Sequence, residues 1–328
     1  MPSNLKQYHN NTLIEVSFRT EQGLPLVVTP YMQVIIEGVM AAAQEKYPVK
    51  ICHYIFMGNH PHMILVVRNP SDVSNFVGYL KGELAHAINR MAGRRQRTVW
   101  KDNFDSPLVL SPRILLERLK YLYLNPTKAN LVNTISEYPG CNTFQALMSG
   151  KSVIEKQCKR IPRDRITKLP ASDLTLEQQQ EYANQLLAGP GLMYTLKIEP
   201  WAWMDCFPYE AIDREHFKAQ LLKELYYEEK KLAEARQAPV LGALALKLQD
   251  PLKEYIPQKF GKKMICLSDC IEQRRSYITY FKEQMQRARK VFKQWWAGDL
   301  SPKPPPGFFC PGGAVLASTF FPVWPFSQ

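Results

Sequence analysis

Two histidines, His60 and His62, stand one residue apart in the stretch Tyr54 to Arg68, Tyr-Ile-Phe-Met-Gly-Asn-His-Pro-His-Met-Ile-Leu-Val-Val-Arg. A neutral imidazole offers one nitrogen lone pair, so two rings projecting side by side can chelate a metal ion. Met57-Gly58-Asn59 reads as a tight turn and His60 to Val67 as a strand, because Met63 to Val67 is an unbroken β-prone apolar run. Alternation then places His60, His62, Ile64 and Val66 on one face, with Pro61, Met63, Leu65 and Val67 on the other. A bare His-X-His pair is common, and by itself is more often structural than metal-binding. Two hydrolytic readings fail on the residues: a histidine-triad phosphoesterase needs a third alternating histidine where Ile64 stands, and a two-histidine phosphoesterase needs a hydroxyl there.

A second stretch changes the balance. Ser111-Pro112 is an N-cap serine followed by proline at the first helical position, and the helix it opens runs to Leu119-Lys120-Tyr121-Leu122-Tyr123-Leu124-Asn125-Pro126. At about 100° per residue, Leu115, Leu119 and Leu122 stack with Leu116 and Tyr123 beside them, while Ile114, Arg118, Tyr121 and Asn125 share another side. Tyr121 and Asn125 thus face the same way one turn apart, with Arg118 alongside, where a phosphate and a metal could be held together. Tyr123 falls on the leucine side. Pro126 disfavours helix at Asn125, which predicts a frayed end with the amide free to reach a ligand.

Taken together, Asn59-His60-Pro61-His62, Trp100-Lys101-Asp102-Asn103-Phe104 and Tyr121-Leu122-Tyr123-Leu124-Asn125-Pro126 resemble the single-tyrosine HUH transposases, in particular the REP-associated tyrosine transposases, over about residues 10 to 148. The resemblance implies that His60 and His62 bind a divalent metal with Asn125 as a further ligand, and that Tyr121 is the nucleophile toward single-stranded DNA. Pro61, in the hydrophobic slot of the motif, is a departure that removes a backbone donor without changing where the histidines point. Imidazoles alone favour Zn, whereas the resemblance implies Mg or Mn, with Asn125 and phosphate oxygens as hard ligands. The expected function is a metal-dependent strand transferase that forms a 5′-phosphotyrosine at hairpin-forming repeats. A domesticated binding protein that no longer cuts, and a zinc hydrolase built on the histidine pair, are the alternatives.

The elements needed to position these residues can be read from periodicity. Ile14, Val16 and Phe18 alternate with Glu15, Ser17 and Arg19 in a half-buried strand, and Pro30 to Lys46 is an amphipathic helix. Val49 to Met57 alternates again, with His53 read as structural. Ser71 is expected to cap a helix striped by Val73, Phe76, Val77, Leu80, Leu84, Ala87, Ile88 and Met91, which Gly93 stops, and Pro107 to Leu110 is a short strand. The order βαββαβ predicts an α+β fold: a ferredoxin-like antiparallel sheet with two helices on one face, the tyrosine helix and DNA on the other, and a mostly α-helical extension following.

The expected boundaries are a catalytic domain at 1–150, a basic linker at 151–171, a mostly helical basic extension at 172–300, and a Pro-, Gly- and aromatic-rich tail at 301–328. Within the extension, Thr175-Leu176-Glu177-Gln178 reads as a capping box, Ile212 to Ala235 as a charged helix, and Ser268 to Ala297 as a helix with an apolar stripe and a basic side.

Composition points the same way. The 328 residues carry a net charge of +12, which favours a polyanionic partner. Arg90, Arg94, Arg95, Arg97 and Lys101, with Trp100 among them, form an acid-free cluster suited to phosphates and to stacking of an unpaired base. The expected partners are single-stranded or hairpin DNA, with a second copy of the chain left open, and no membrane. The seven cysteines are odd in number and include no Cys-X-X-Cys pair, which fits reduced thiols in a cytoplasm; the resemblance implies a bacterial cytoplasm and association with the nucleoid.

Overall fold

Alternation over residues 13 to 20 makes a strand, and that strand lies at the centre of a sheet that runs through the chain. The computed structural model describes residues 6–21, 28–95, 97–171, 173–250 and 263–308. Its elements are β1 (Leu13–Thr20), α1 (Pro30–Lys46), β2 (Lys50–Met57), β3 (His60–Val66), α2 (Pro70–Met91), β4 (Trp100–Asp105), β5 (Leu108–Val109) and α3 (Pro112–Lys128), followed by α4 (Phe144–Met148), β6 (Ile154–Arg160), α5 (Leu176–Ala188), β7 (Leu192–Ile198), α6 (Arg214–Ala235), α7 (Ala243–Lys247), β8 (Cys266–Leu267) and α8 (Ile271–Trp296). The sheet order is β6-β7-β2-β3-β1-β5-β8, with β4 also paired to β1. Its centre, β2-β3-β1 with β4 and β5 beyond, is antiparallel throughout and has the ferredoxin-like order.

The two faces of β3 are divided as the alternation requires. Pro61 and Phe56 face Met32 and Ile36 of α1 and Leu84 and Ile88 of α2, so both helices cover the apolar face. On the other face His62 meets Tyr121 and His53 meets Tyr123, which places α3 there. Helix α6 packs against α3 in turn.

Several expectations change. Two of the added strands are parallel to their neighbours, β7 to β2 and β8 to β5, so the complete sheet is mixed. The fourth strand starts earlier than expected, at Trp100, and is broken before Pro107, which cannot donate to the ladder; both pieces pair with β1. The N-cap position of α2 is Asn69 instead of Ser71, because Pro70 takes the first helical position; the Asn69 side chain bonds Asp72 and caps no backbone amide. The segment 151–171, expected as a basic linker, contains β6, which forms a long antiparallel pair with β7. That hairpin lies so close to α1 that a Cβ on Gly38 would collide with the Lys159 carbonyl oxygen.

Pro126 does not end α3. The helix runs on to Lys128, with Leu124, Pro126 and Thr127 buried and the amides of Ala129 and Leu131 bonded back to the carbonyls of Asn125 and Pro126. Proline removes the bond to Leu122, and the packing of this last turn outweighs that loss. Asn125 is therefore held on a regular helix. Of the expected tail, residues 306–308 lie against the N-terminal segment, where the Tyr8 amide donates to the Gly307 carbonyl, the Pro302 carbonyl accepts from Trp295 of α8, and residues 309–328 lie outside the described residues.

Candidate active site

Register builds the site. Ser17 lies opposite His62 and Glu15 opposite Ile64, so Glu15 projects from the histidine face of β1, diagonal to His62. Glu15 is 3% exposed. His62 Nδ1 donates to its Oε1 at 2.9 Å, and Arg118 of α3 closes a two-point fork, Nε to Oε2 at 2.5 Å and Nη2 to Oε1 at 2.8 Å. Burial by itself would raise the carboxyl pKa, but the bonds from His62 and Arg118 and their charges overcome it and hold Glu15 at about 2. One carboxylate thus locks a strand histidine and a helix arginine together.

The same bond fixes the histidine tautomer. A carboxylate can only accept, so His62 carries a proton on Nδ1, and Nε2 is the ring atom left to meet a ligand. His60 is arranged alike, with Nδ1 2.5 Å from Asn59 Oδ1. The two rings are 5.1 Å apart and nearly perpendicular. Burial, with His62 and Arg19 nearby, pushes the His60 pKa down to about 3, so this imidazole is neutral at physiological pH. Two imidazoles whose Nδ1 atoms are held by oxygen acceptors present their Nε2 atoms as metal-binding histidines do, so the residues present fit a metal. Among the described residues no group of three or more His, Cys, Asp and Glu side chains could hold an ion. A third protein ligand would have to be of another type. Asn125, one turn beyond Tyr121, has a buried amide nitrogen without a partner among the described residues, and no hydrogen bond joins it to either histidine.

The two tyrosines separate cleanly. The Tyr121 ring stands 5.3 Å from that of His62, edge to face, with the Arg118 guanidinium 4.4 Å and the Lys128 ammonium 5.6 Å from its centroid. Tyr123 is fully buried, its hydroxyl bonded to His53 Nδ1 at 2.9 Å and Thr143 Oγ1 at 3.1 Å. Burial drives the Tyr123 pKa up and the His53 pKa down to about 3, which fits the reading of both as structural.

The basic cluster is dispersed. Arg95 and Arg97 are exposed, and Lys101 lies opposite Arg19 in the ladder, at the histidine end of the sheet. Arg94 is half-buried in the same loop. Trp100 is turned to the other face: its Nε1 donates to the Lys81 carbonyl at 2.7 Å and its ring packs on Phe18, so the indole expected to stack on a base is committed to α2. Arg90 is likewise spent on the Ile166 carbonyl at 2.8 Å. Glu15, Arg19, Asn59 and Lys128 join the site although no sequence motif gives them a role. The signal for Glu15 and Arg19 was their place on the polar side of a strand that the ferredoxin-like order sets beside the histidine strand.

Residues 19–108 match the family model described as transposase, IS200 like. By sequence, this stretch is IS200-like. It contains the histidine pair and the basic loop, whereas Tyr121 and Asn125 lie beyond its end. Among solved structures, a REP-associated tyrosine transposase bound to a REP hairpin aligns at 17% identity, covering 45% of this chain and 86% of that one, with a TM-score of 0.39. No curated protein matches. Among the described residues no helix is long and apolar enough to cross a membrane.

Proposed function

We propose that this chain cuts and rejoins single-stranded DNA by transposase chemistry, with Tyr121 as the nucleophile. The observation that carries the reading is the placement of the Tyr121 ring between His62, oriented by Glu15, and the cations of Arg118 and Lys128. A phenol attacks only when its proton is drawn off, and two cations beside the ring favour negative charge developing on its oxygen. Glu15 takes Nε and Nη2 of Arg118, so the Nη1 donors are left to hold a phosphate oxygen. Tyr121 Oη attacks phosphorus and loses its proton to solvent. The bond from phosphorus to the 3′ oxygen breaks, and that oxygen leaves as a protonated hydroxyl. The phosphodiester energy stays in the 5′-phosphotyrosine, so a 3′-hydroxyl can attack it and join strands without ATP.

His60, His62 and Asn125 would hold a divalent cation, Mg or Mn, which when bound would polarise the scissile phosphate. Arg19, Lys101, Arg95 and Arg97 supply positive charge along the same end of the sheet, which supports a path for the strand. Hairpin-forming single-stranded DNA is the substrate that the resemblance to REP-associated tyrosine transposases implies.

The test is covalent trapping. Full-length protein, a hairpin oligonucleotide with single-stranded flanks and Mn should give an adduct that mass spectrometry maps to Tyr121, absent in Tyr121→Phe and retained in Tyr123→Phe. An adduct that persists in Tyr121→Phe sinks the assignment. Loss of nicking in His60→Ala and His62→Ala, with strand binding kept, would support the metal; full cleavage by the double variant would remove it.

A further inference from the structure

Helix α8 buries Tyr277 in the main core and Ala288 and Phe292 in a separate cluster with Phe308. Its exposed side is not evenly charged. Arg275, Lys282, Arg289 and Lys293 recur at spacings of seven, seven and four, which puts them within about 40° of one line along the helix. The acids Glu272 and Glu283 fall roughly 80–90° further round. All four basic residues are exposed, and none has a hydrogen bond or ion pair with a described residue. At 1.5 Å per residue the row is about 27 Å long, which matches about eight base steps of a duplex. Trp296, 73% exposed, lies near the same line at its far end. The row is fixed in place: β8 pairs with β5, and Asp269 just before α8 accepts a 2.7 Å bond from Ser111, the N-cap of α3.

Four exposed cations along one line of a helix, unpaired among the described residues, match a linear polyanion. An anionic membrane fits less well, because the apolar side of α8 is already packed and cannot insert. We propose that α8 is a second nucleic-acid surface, which grips the phosphate backbone of a duplex stem while the strand to be cut lies at the histidine face. It rests on the DNA reading above for its partner, but it is tested separately.

The experiment uses full-length protein carrying Tyr121→Phe, so that nucleic acid is bound without being cut. Anisotropy is measured against salt for a hairpin with a stem of about ten base pairs and for an unstructured strand. Replacing Arg275, Lys282, Arg289 and Lys293 with Gln should flatten the stem's log K against log salt slope by about 3–4 and leave the strand's slope unchanged. Exchanging Arg for Lys and Lys for Arg at the four positions should preserve both slopes, and circular dichroism checks that the helix survives. An unchanged stem slope, an equal loss for the strand, or tighter binding to phosphatidylserine vesicles than to the stem would each overturn the proposal. Parent protein that binds no stem also overturns it. If parent protein with Tyr121 intact still forms its adduct on single-stranded DNA, the catalytic reading survives that failure.

Discussion

Removing the charge of Glu15 should unlock the site and the fold together. Glu15 is 3% exposed and is the acceptor for three charge-assisted bonds, from His62 and twice from Arg118. Glu15→Gln keeps the volume but turns an N–H₂ toward groups that are all donors, and it leaves the guanidinium without a counter-charge. Stripping one partner from a buried pair costs about 3–5 kcal/mol, and with the Arg118 side chain 21% exposed the lower end applies, about 3 kcal/mol. Arg118→Met should cost about the same, because it strands the carboxylate instead. The double variant leaves no lone charge, so its loss should fall short of the sum by about 2–3 kcal/mol. Urea denaturation of the four proteins at neutral pH measures this cycle. Glu15→Gln should also weaken Mn binding by about 10- to 100-fold, since His62 loses the partner that orients it. A loss under about 1 kcal/mol for Glu15→Gln, or strict additivity in the double variant, would refute the lock.

Three further outcomes follow from the packing. Tyr123→Phe should cost about 1–3 kcal/mol in denaturant midpoint, because His53 Nδ1 loses its partner in a sealed core. Gly38→Ala should destabilise by about 1–3 kcal/mol, since the new methyl meets the Lys159 carbonyl, whereas Gly78→Ala, with open space at its Cβ, should not. Glu83 bonds to Arg160 and to Arg163; burial raises its pKa, but the bond from Arg163 and the charges of both arginines prevail and lower it. A depressed carboxyl stabilises the fold above its unfolded pKa near 4.3 and loses that contribution as pH falls through the folded value. Glu83→Gln should therefore be less stable than the parent at pH 7, with the gap closing in acid denaturation series below about pH 4.

The sequence carried the ferredoxin-like core because its strands and helices each have one buried face, and burial imposes a period. Which tyrosine is buried was legible for the same reason: leucines at 115, 119 and 122 decide which side of α3 packs, and Tyr123 goes with them. The side of α3 that carries Asn125 is legible in the sequence but its place within the helix is not, because the packing of Leu124 and Thr127 outweighs the local effect of Pro126. Trp100 shows the opposite limit. Its neighbours are basic, yet the strand register turns its indole toward Phe18, and register depends on pairing between strands far apart in the chain. Glu15 escaped notice for a related reason: nothing near it in sequence marks it, and its partners are 47 and 103 residues away.

The ferredoxin-like core has two borders, and this chain closes both with its own later segments, β7 along β2 and β8 along β5. A fragment ending near residue 150 would bare the short stretches of edge at Ile51 and at Leu108 and Val109, together with the flank of α1 that α5 and the β6–β7 hairpin cover. Such a piece is a template for aggregation. Dissecting this protein at the boundary that composition suggests would give an insoluble product, and biochemistry on it requires the undivided chain.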